Sequence, residues 1–341
     1  MLPVTPCFLD LVLLEGIALA KIYEDNPSAY FQGMENRVVP LTSNDKKVIK
    51  QVLNLQQAGS NITAKEILPA LENARLPTLN IKKIISKSNI YYTLAGDTTN
   101  RYSAIKLFNV DRFTSLVPVA LQVRTEICST ELYRWMLAAA LSAYAGKISS
   151  YYLYVFFDPA EILEYVLRLA SGKNSSSIQQ LQRMFELKKD LTDRLAEYFK
   201  RPNLELLNLT CMLLDITNLL RNHGFSCISM IFYLIKRSQT DISLLYVFNT
   251  TLFSEPRFLA ELQKYFSNTE TFLERAETLL KKKILGRIKL SRNERPESMT
   301  LLRAVYYLHA LLTTARIEYL YQFVRELEHA NRIAEKKDYV L

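Results

Sequence analysis

Few residues in this 341-residue chain have the chemistry of an active site. There are three histidines, His223, His309 and His329, and four cysteines, Cys7, Cys128, Cys211 and Cys227. Zinc or nucleophilic chemistry needs such side chains to converge. No CxxC pair occurs, and HExxH, GxSxG, GxxxxGK[ST] and GxGxxG are absent. The close carboxylate pairs, Asp190 with Asp193 and Glu326 with Glu328, fall in helical sequence, where solvated faces account for them. A Ser/His/Asp or Cys/His site built from distant positions leaves no local signature, and no segment here proposes one. No metal, no cofactor and no hydrolase or transferase site is expected. The chain reads as one that acts by binding another macromolecule.

The elements that position these residues read as helices. Hydrophobic residues make up 49% of the chain and charged residues 23%, the balance of a soluble globular protein. Only 8 glycines are present. Turns that need positive φ are then few, which argues against sandwiches, barrels and phosphate loops. Cys128, Cys211 and Cys227 sit in apolar runs and read as buried free thiols, in keeping with a reducing, cytoplasmic compartment. The run Phe8 to Ile22 is too short to span a bilayer and carries Asp10 and Glu15, so an amphipathic helix is expected.

Three regions follow along the chain. Residues 1–41 read as a helix and a polar connection. Residues 42–112 read as a winged-helix-like module. Within it, SNDKKVIKQVLNLQQAG is a helix stopped near Gly59, NITAKEILPALENARL is a helix with a capping box from Thr63 to Glu66, and LNIKKIISKS is a third helix. NIYYTLAGDTTNRYSAIKLF then signals a β-hairpin about AGDTTN. Lys82, Lys83 and Lys87 would form a thin basic face on the third helix. Residues 113–341 show almost only helical periodicity, so the fold class expected is mainly all-α.

Formal net charge is +9, which invites an acidic partner. The densest basic cluster is KKKILGRIKLSRNER, Lys281 to Arg295. Its bland reading is a solvated helix end. Its functional reading is peripheral contact with an acidic membrane through Lys281, Lys282, Lys283, Arg287 and Lys289. The charge is not gathered on one arm, and nucleic acid is set aside as a partner.

The segment LLDITNLLRNHGFSCISMIFYLIKRSQTDISLLYVF (Leu213 to Phe248) resembles the core of Ras-family guanine-nucleotide exchange factors of the Son-of-sevenless type. It shows an apolar helix, an Asn-containing turn closed by Phe225, a second buried helix from Cys227 to Ile235, a polar turn, then Ile242, Leu245 and Phe248. VPVALQVRTEICSTELYRWM is similar to the family's first helix, and IQQLQRMFELKKDLTDRLAEYF to the helix before the core. EPRFLAELQKYFSNTETFLERAETLL is similar to the next pair, and RPESMTLLRAVYYLHALL to the helix that opens the family's helical hairpin. YYLYVFFDPAEILEYV reads as an insertion. The family's Pro-Cys motif before the hairpin is missing. Thr313-Thr314-Ala315 is the one candidate for the hairpin's turn.

The resemblance implies a multi-helix exchange-factor domain that releases GDP from a small GTPase of the Ras superfamily, without covalent chemistry and by linkage. Leu312 matches the apolar residue that occludes the magnesium site. Arg316 stands where the family has a glutamate, and Glu318 is the nearest carboxylate. Tyr306, Tyr307, His309, Asn222 and His223 become candidate partner contacts. Two alternatives stand beside this reading. One is the helical exchange domain acting on endosomal Rab proteins, which YFSN (Tyr265 to Asn268) resembles. The other is a non-catalytic winged-helix scaffold or nucleic-acid-binding protein.

Overall fold

The computed structural model describes residues 7–76, 81–86, 89–94, 101–113, 124–170, 175–199, 205–238, 240–265, 267–284, 296–334 and 339. Two units divide the chain: Met1–Ala196 with Ser229–Thr250, and Glu197–Ile228 with Thr251–Leu341.

In the first unit, helix α1 (Phe8–Tyr23) is buried on nearly every side, not amphipathic as expected. It packs against α5 (Thr130–Ala143), and Gly16 permits the approach: a Cβ there would lie 2.9 Å from the Trp135 carbonyl oxygen. The short α2 (Pro27–Phe31), α3 (Asp45–Leu53) and α4 (Ala64–Leu71) follow, with β1 (Val39–Pro40) and β2 (Asn61–Ile62) paired antiparallel between them. The capping box forms as read, with Thr63 N donating to Glu66 Oε2 at 2.9 Å. Helix α3 stops earlier than Gly59, at Asn54 in the left-handed region.

The winged-helix expectation fails at its third element. LNIKKIISKS holds strand β3 (Ile81–Ser86), paired antiparallel with β4 (Asn89–Leu94). The reversal therefore falls between Ser86 and Asn89, and residues 95–100 of the expected AGDTTN hairpin lie outside the described residues. Strand β5 (Tyr102–Ser103) does not pair with β4, because β6 (Arg124–Ile127) lies between them in the order β3-β4-β6-β5. Isoleucines clustered in NIKKIISKSNI favour a strand where the i, i+3, i+4 spacing alone suggests a helix. Strand β6 also takes residues expected to be helical, and α5 begins only at Thr130, capped by Ser129.

A second four-stranded sheet overturns the all-α expectation. Its order is β10-β9-β8-β7, from β7 (Tyr144–Ile148), β8 (Tyr151–Phe157), β9 (Cys227–Arg237) and β10 (Ile242–Phe253). The chain is therefore mixed α/β. Cys227 to Ile235, on which the exchange-factor resemblance centres, is strand and not helix, and YYLYVFF is the strand beside it. Buried side chains lie on both faces of β8 and β9, so their sequences show no alternation and a short apolar run is ambiguous. The scarcity of glycine does not prevent the turns. Ser149 adopts φ 55° between β7 and β8, and Ser238 N donates to the Asp241 carbonyl to close β9 to β10. Phe8 packs edge-on against Tyr154, Phe156 and Tyr233 on one face of this sheet. Helices α6 (Pro159–Ala170) and α7 (Ser175–Phe199) complete the described elements between β8 and residue 199, α7 as the sequence suggested.

The second unit is helical: α8 (Glu205–Asn222), α9 (Arg257–Gln263), α10 (Thr269–Thr278) running into a π-turn at Leu279–Ile284, α11 (Pro296–Thr314) and α12 (Glu318–Ile333). The chain reverses at Ala315, φ 57°, so α11 and α12 form an antiparallel hairpin. Thr313 and Thr314 hydroxyls donate to the carbonyls of His309 and Ala310, loosening the last turn locally. Leu301, Val305, Leu308 and Leu312 line the core with Leu320, Phe323 and Leu327. No helix of the described residues is long and apolar enough to cross a membrane.

Candidate functional site

The residues that the exchange-factor resemblance singled out as site and partner contacts lie in the second unit. Leu312 is 8% exposed and packs in the core. Arg316 and Glu318 are exposed at the α11–α12 reversal. Tyr306 is 55% exposed, and Tyr307 beside it stacks on Tyr319 with ring centroids 6.3 Å apart. His309 is half-buried, with Nδ1 3.3 Å from Thr210 Oγ1, and burial holds its pKa below the usual histidine value. Asn222 and His223 end α8. Gly224 adopts φ 72°, Phe225 N donates to the Leu220 carbonyl and Gly224 N to that of Arg221. That is a Schellman closure, so RNHGF is a helix stop. The reversal gathers Arg316 and Glu318, while Leu312 packs in the core.

The basic cluster is divided as well. Lys281 Nζ bonds Asp215 Oδ1 at 2.5 Å and Glu277 Oε1 at 2.7 Å. Lys282 and Lys283 are exposed, and Arg287 and Lys289 lie outside the described residues. Cys227 is exposed, not buried as expected, while Cys128 and Cys211 are buried, and none of the four cysteines forms a disulfide among the described residues. Among the described residues, no group of three or more His, Cys, Asp or Glu side chains is placed to hold a metal.

A basic and aromatic cluster stands in the first unit, at the Ser149 end of the β10-β9-β8-β7 sheet. Cross-strand register sets Ile148, Tyr151 and Lys236 in one row and Lys147, Tyr152 and Ile235 in the next. Neighbouring rows face opposite ways, so the two tyrosine–lysine pairs lie on the two faces of the sheet's end. Lys236 Nζ lies 6.0 Å from the Tyr151 ring centroid, and Lys147 Nζ 5.2 Å from that of Tyr152. Neither lysine has a carboxylate partner among the described residues. Tyr151 is 38% exposed.

The turn between them is held firmly. Arg237 N donates to the Ser150 carbonyl at 2.9 Å. The Arg237 guanidinium bonds Asn61 Oδ1 and the Leu41 carbonyl, each at 2.9 Å, and Tyr152 Oη at 3.4 Å. Asp241, in the next turn, is taken up by Lys106 at 3.2 Å. Lys147, Ser149, Ser150, Tyr152, Arg237 and Ser238 line a shallow recess of about 440 Å³. Its donors suit an anion, while the exposed Tyr151 ring, on the other face, is the one open to a planar group. Apolar and aromatic runs on both sides of Ser149-Ser150 were the signal that could have found this hairpin in the sequence. Compared with family models, with curated proteins and with solved structures, the chain has no match.

Proposed function

We propose that this chain is a binding protein for single-stranded nucleic acid, held at the Ser149 end of the β10-β9-β8-β7 sheet. The observation that carries it is a pair of exposed lysines, Lys147 and Lys236, without carboxylate partners among the described residues, Lys236 lying 6.0 Å from the ring of the exposed Tyr151. Stacking surfaces interleaved with positive charge are what single strands need, since every base has a π-face and every linkage a phosphate. The formal net charge of +9 favours encounter with such a polyanion. This departs from the sequence-based expectation, which set nucleic acid aside and placed any basic face on Lys82, Lys83 and Lys87. Action in the cytoplasm belongs to the same proposal.

Fluorescence anisotropy with labelled single-stranded and duplex oligonucleotides and with anionic vesicles tests it. Single strands should bind best, with affinity falling steeply as salt rises. Lys147→Glu with Lys236→Glu should abolish binding, and Tyr151→Ala should weaken it by about 1–3 kcal/mol. No binding at low salt, binding indifferent to these changes, or preference for vesicles overturns it.

A second reading keeps the exchange-factor function. It is favoured by the outer face of α11, where Met299, Leu302 and Tyr306 stand exposed at i, i+3 and i+7. That stripe, near Tyr307, suits a protein partner. The resemblance behind it has lost its central helix, so it ranks second. Accelerated release of labelled GDP from a panel of small GTPases, lost on Tyr306→Ala, is the expected result. An unaccelerated panel removes this reading.

A further inference from the structure

The two edges of the β10-β9-β8-β7 sheet are built differently. Strand β7 has 5 residues, a register shift between Tyr144 and Gly146, and Lys147. Shortness, a bulge and a lysine are devices that stop another strand from adding. Strand β10 is neither short nor charged. It runs 12 residues as ISLLYVFNTTLF, with no charge, proline or glycine. Leu245 is 47% exposed, Tyr246 60% and Phe248 41%. The Phe248 ring stacks on Phe232 of β9 at 4.8 Å and 6°, so it is held in place and not free to fold away. Tyr246 lies 5.7 Å from it.

We propose that β10 pairs antiparallel with β10 of a second copy of this chain, continuing the sheet across a two-fold axis. A strand without charge can oppose itself with no like-charge repulsion, and the two-fold sets apolar side chains against apolar side chains. An acidic or basic segment of another protein would find no counter-charge on this strand. The size of the patch sets the strength. Three half-exposed large side chains bury on the order of 300 Å² per copy, with the paired backbones adding to it, against about 800 Å² in a standard interface. The dimer is therefore weak, and it forms only at high protein concentration. This inference does not depend on the nucleic-acid reading.

Sedimentation velocity of the full chain from about 1 to about 200 μM should show a reversible monomer–dimer shift. Tyr246→Lys with Phe248→Lys should weaken it at least about tenfold, because two lysines then oppose two lysines. A monomer throughout this range overturns the proposal. So does a dimer that the double change leaves intact. If the variant does not fold, hydrogen exchange of the unaltered protein decides. Amides of residues 242–250 should gain protection as concentration rises, and protection independent of concentration overturns the proposal.

Discussion

Lys188 Nζ donates to Glu15 Oε2 with both side chains enclosed, 0% and 1% exposed. The bond ties α7 to α1. Glu15 Oε1 also accepts from Phe157 N at 2.8 Å, and Lys188 Nζ stands 5.4–5.5 Å from the rings of Phe156, Phe157 and Phe185. A buried pair owes its tolerance to mutual satisfaction, since either ion alone is costly in a low-dielectric core. Lys188→Met alone should cost about 3–5 kcal/mol, measured by chemical denaturation. The double change Glu15→Leu with Lys188→Met should recover most of that loss, because no charge is then left unpaired.

Gly16 is a packing requirement of the same helix. With the Trp135 carbonyl oxygen 2.9 Å from where its Cβ would stand, Gly16→Ala forces α1 and α5 apart. A loss of about 1–3 kcal/mol is expected in thermal or chemical unfolding, despite the better helix propensity of alanine.

Gly224 matters for its backbone. At φ 72° it closes α8, and an L side chain there is strained. Gly224→Ala should cost about 1 kcal/mol, and Gly224→Asn less, because asparagine tolerates the left-handed region. Comparing the two variants separates backbone strain from loss of a partner contact.

Lys281 should give the second unit a dependence on alkaline pH. Burial works against its ammonium, but the hydrogen bonds and charges of Asp215 and Glu277 outweigh burial and raise its pKa above the ordinary lysine value. A raised folded-state pKa means the fold binds this proton more tightly than the unfolded chain. The stability it contributes is therefore complete below about pH 10.5 and is lost as pH rises through the folded value. Thermal midpoints measured from pH 8 upward should fall more steeply for the unaltered chain than for Lys281→Met.

How much was legible follows from what each element needed. The capping box at Thr63 and Glu66, the stop at Gly224, the long α7 and the reversal at Thr313-Thr314-Ala315 were readable, because each rests on contacts between residues close in sequence. The candidate site was not. Tyr151 and Lys236 are 85 residues apart and meet only because β8 and β9 pair. Their strands carry apolar residues on both faces, so the period-2 signal that marks a half-buried strand is erased.

By itself the sequence determined the local grammar of this protein: caps, helix ends and the core stripe of α11. It also determined a net charge of +9, which belongs to composition and needs no fold. Only the tertiary structure decided whether Cys227 to Arg237 is helix or strand. It alone sets Lys147 and Lys236 beside their tyrosines and leaves β10 at an edge. Strand pairing is a contact between distant segments, and an apolar run satisfies its backbone equally well as a buried helix until a partner strand offers the alternative.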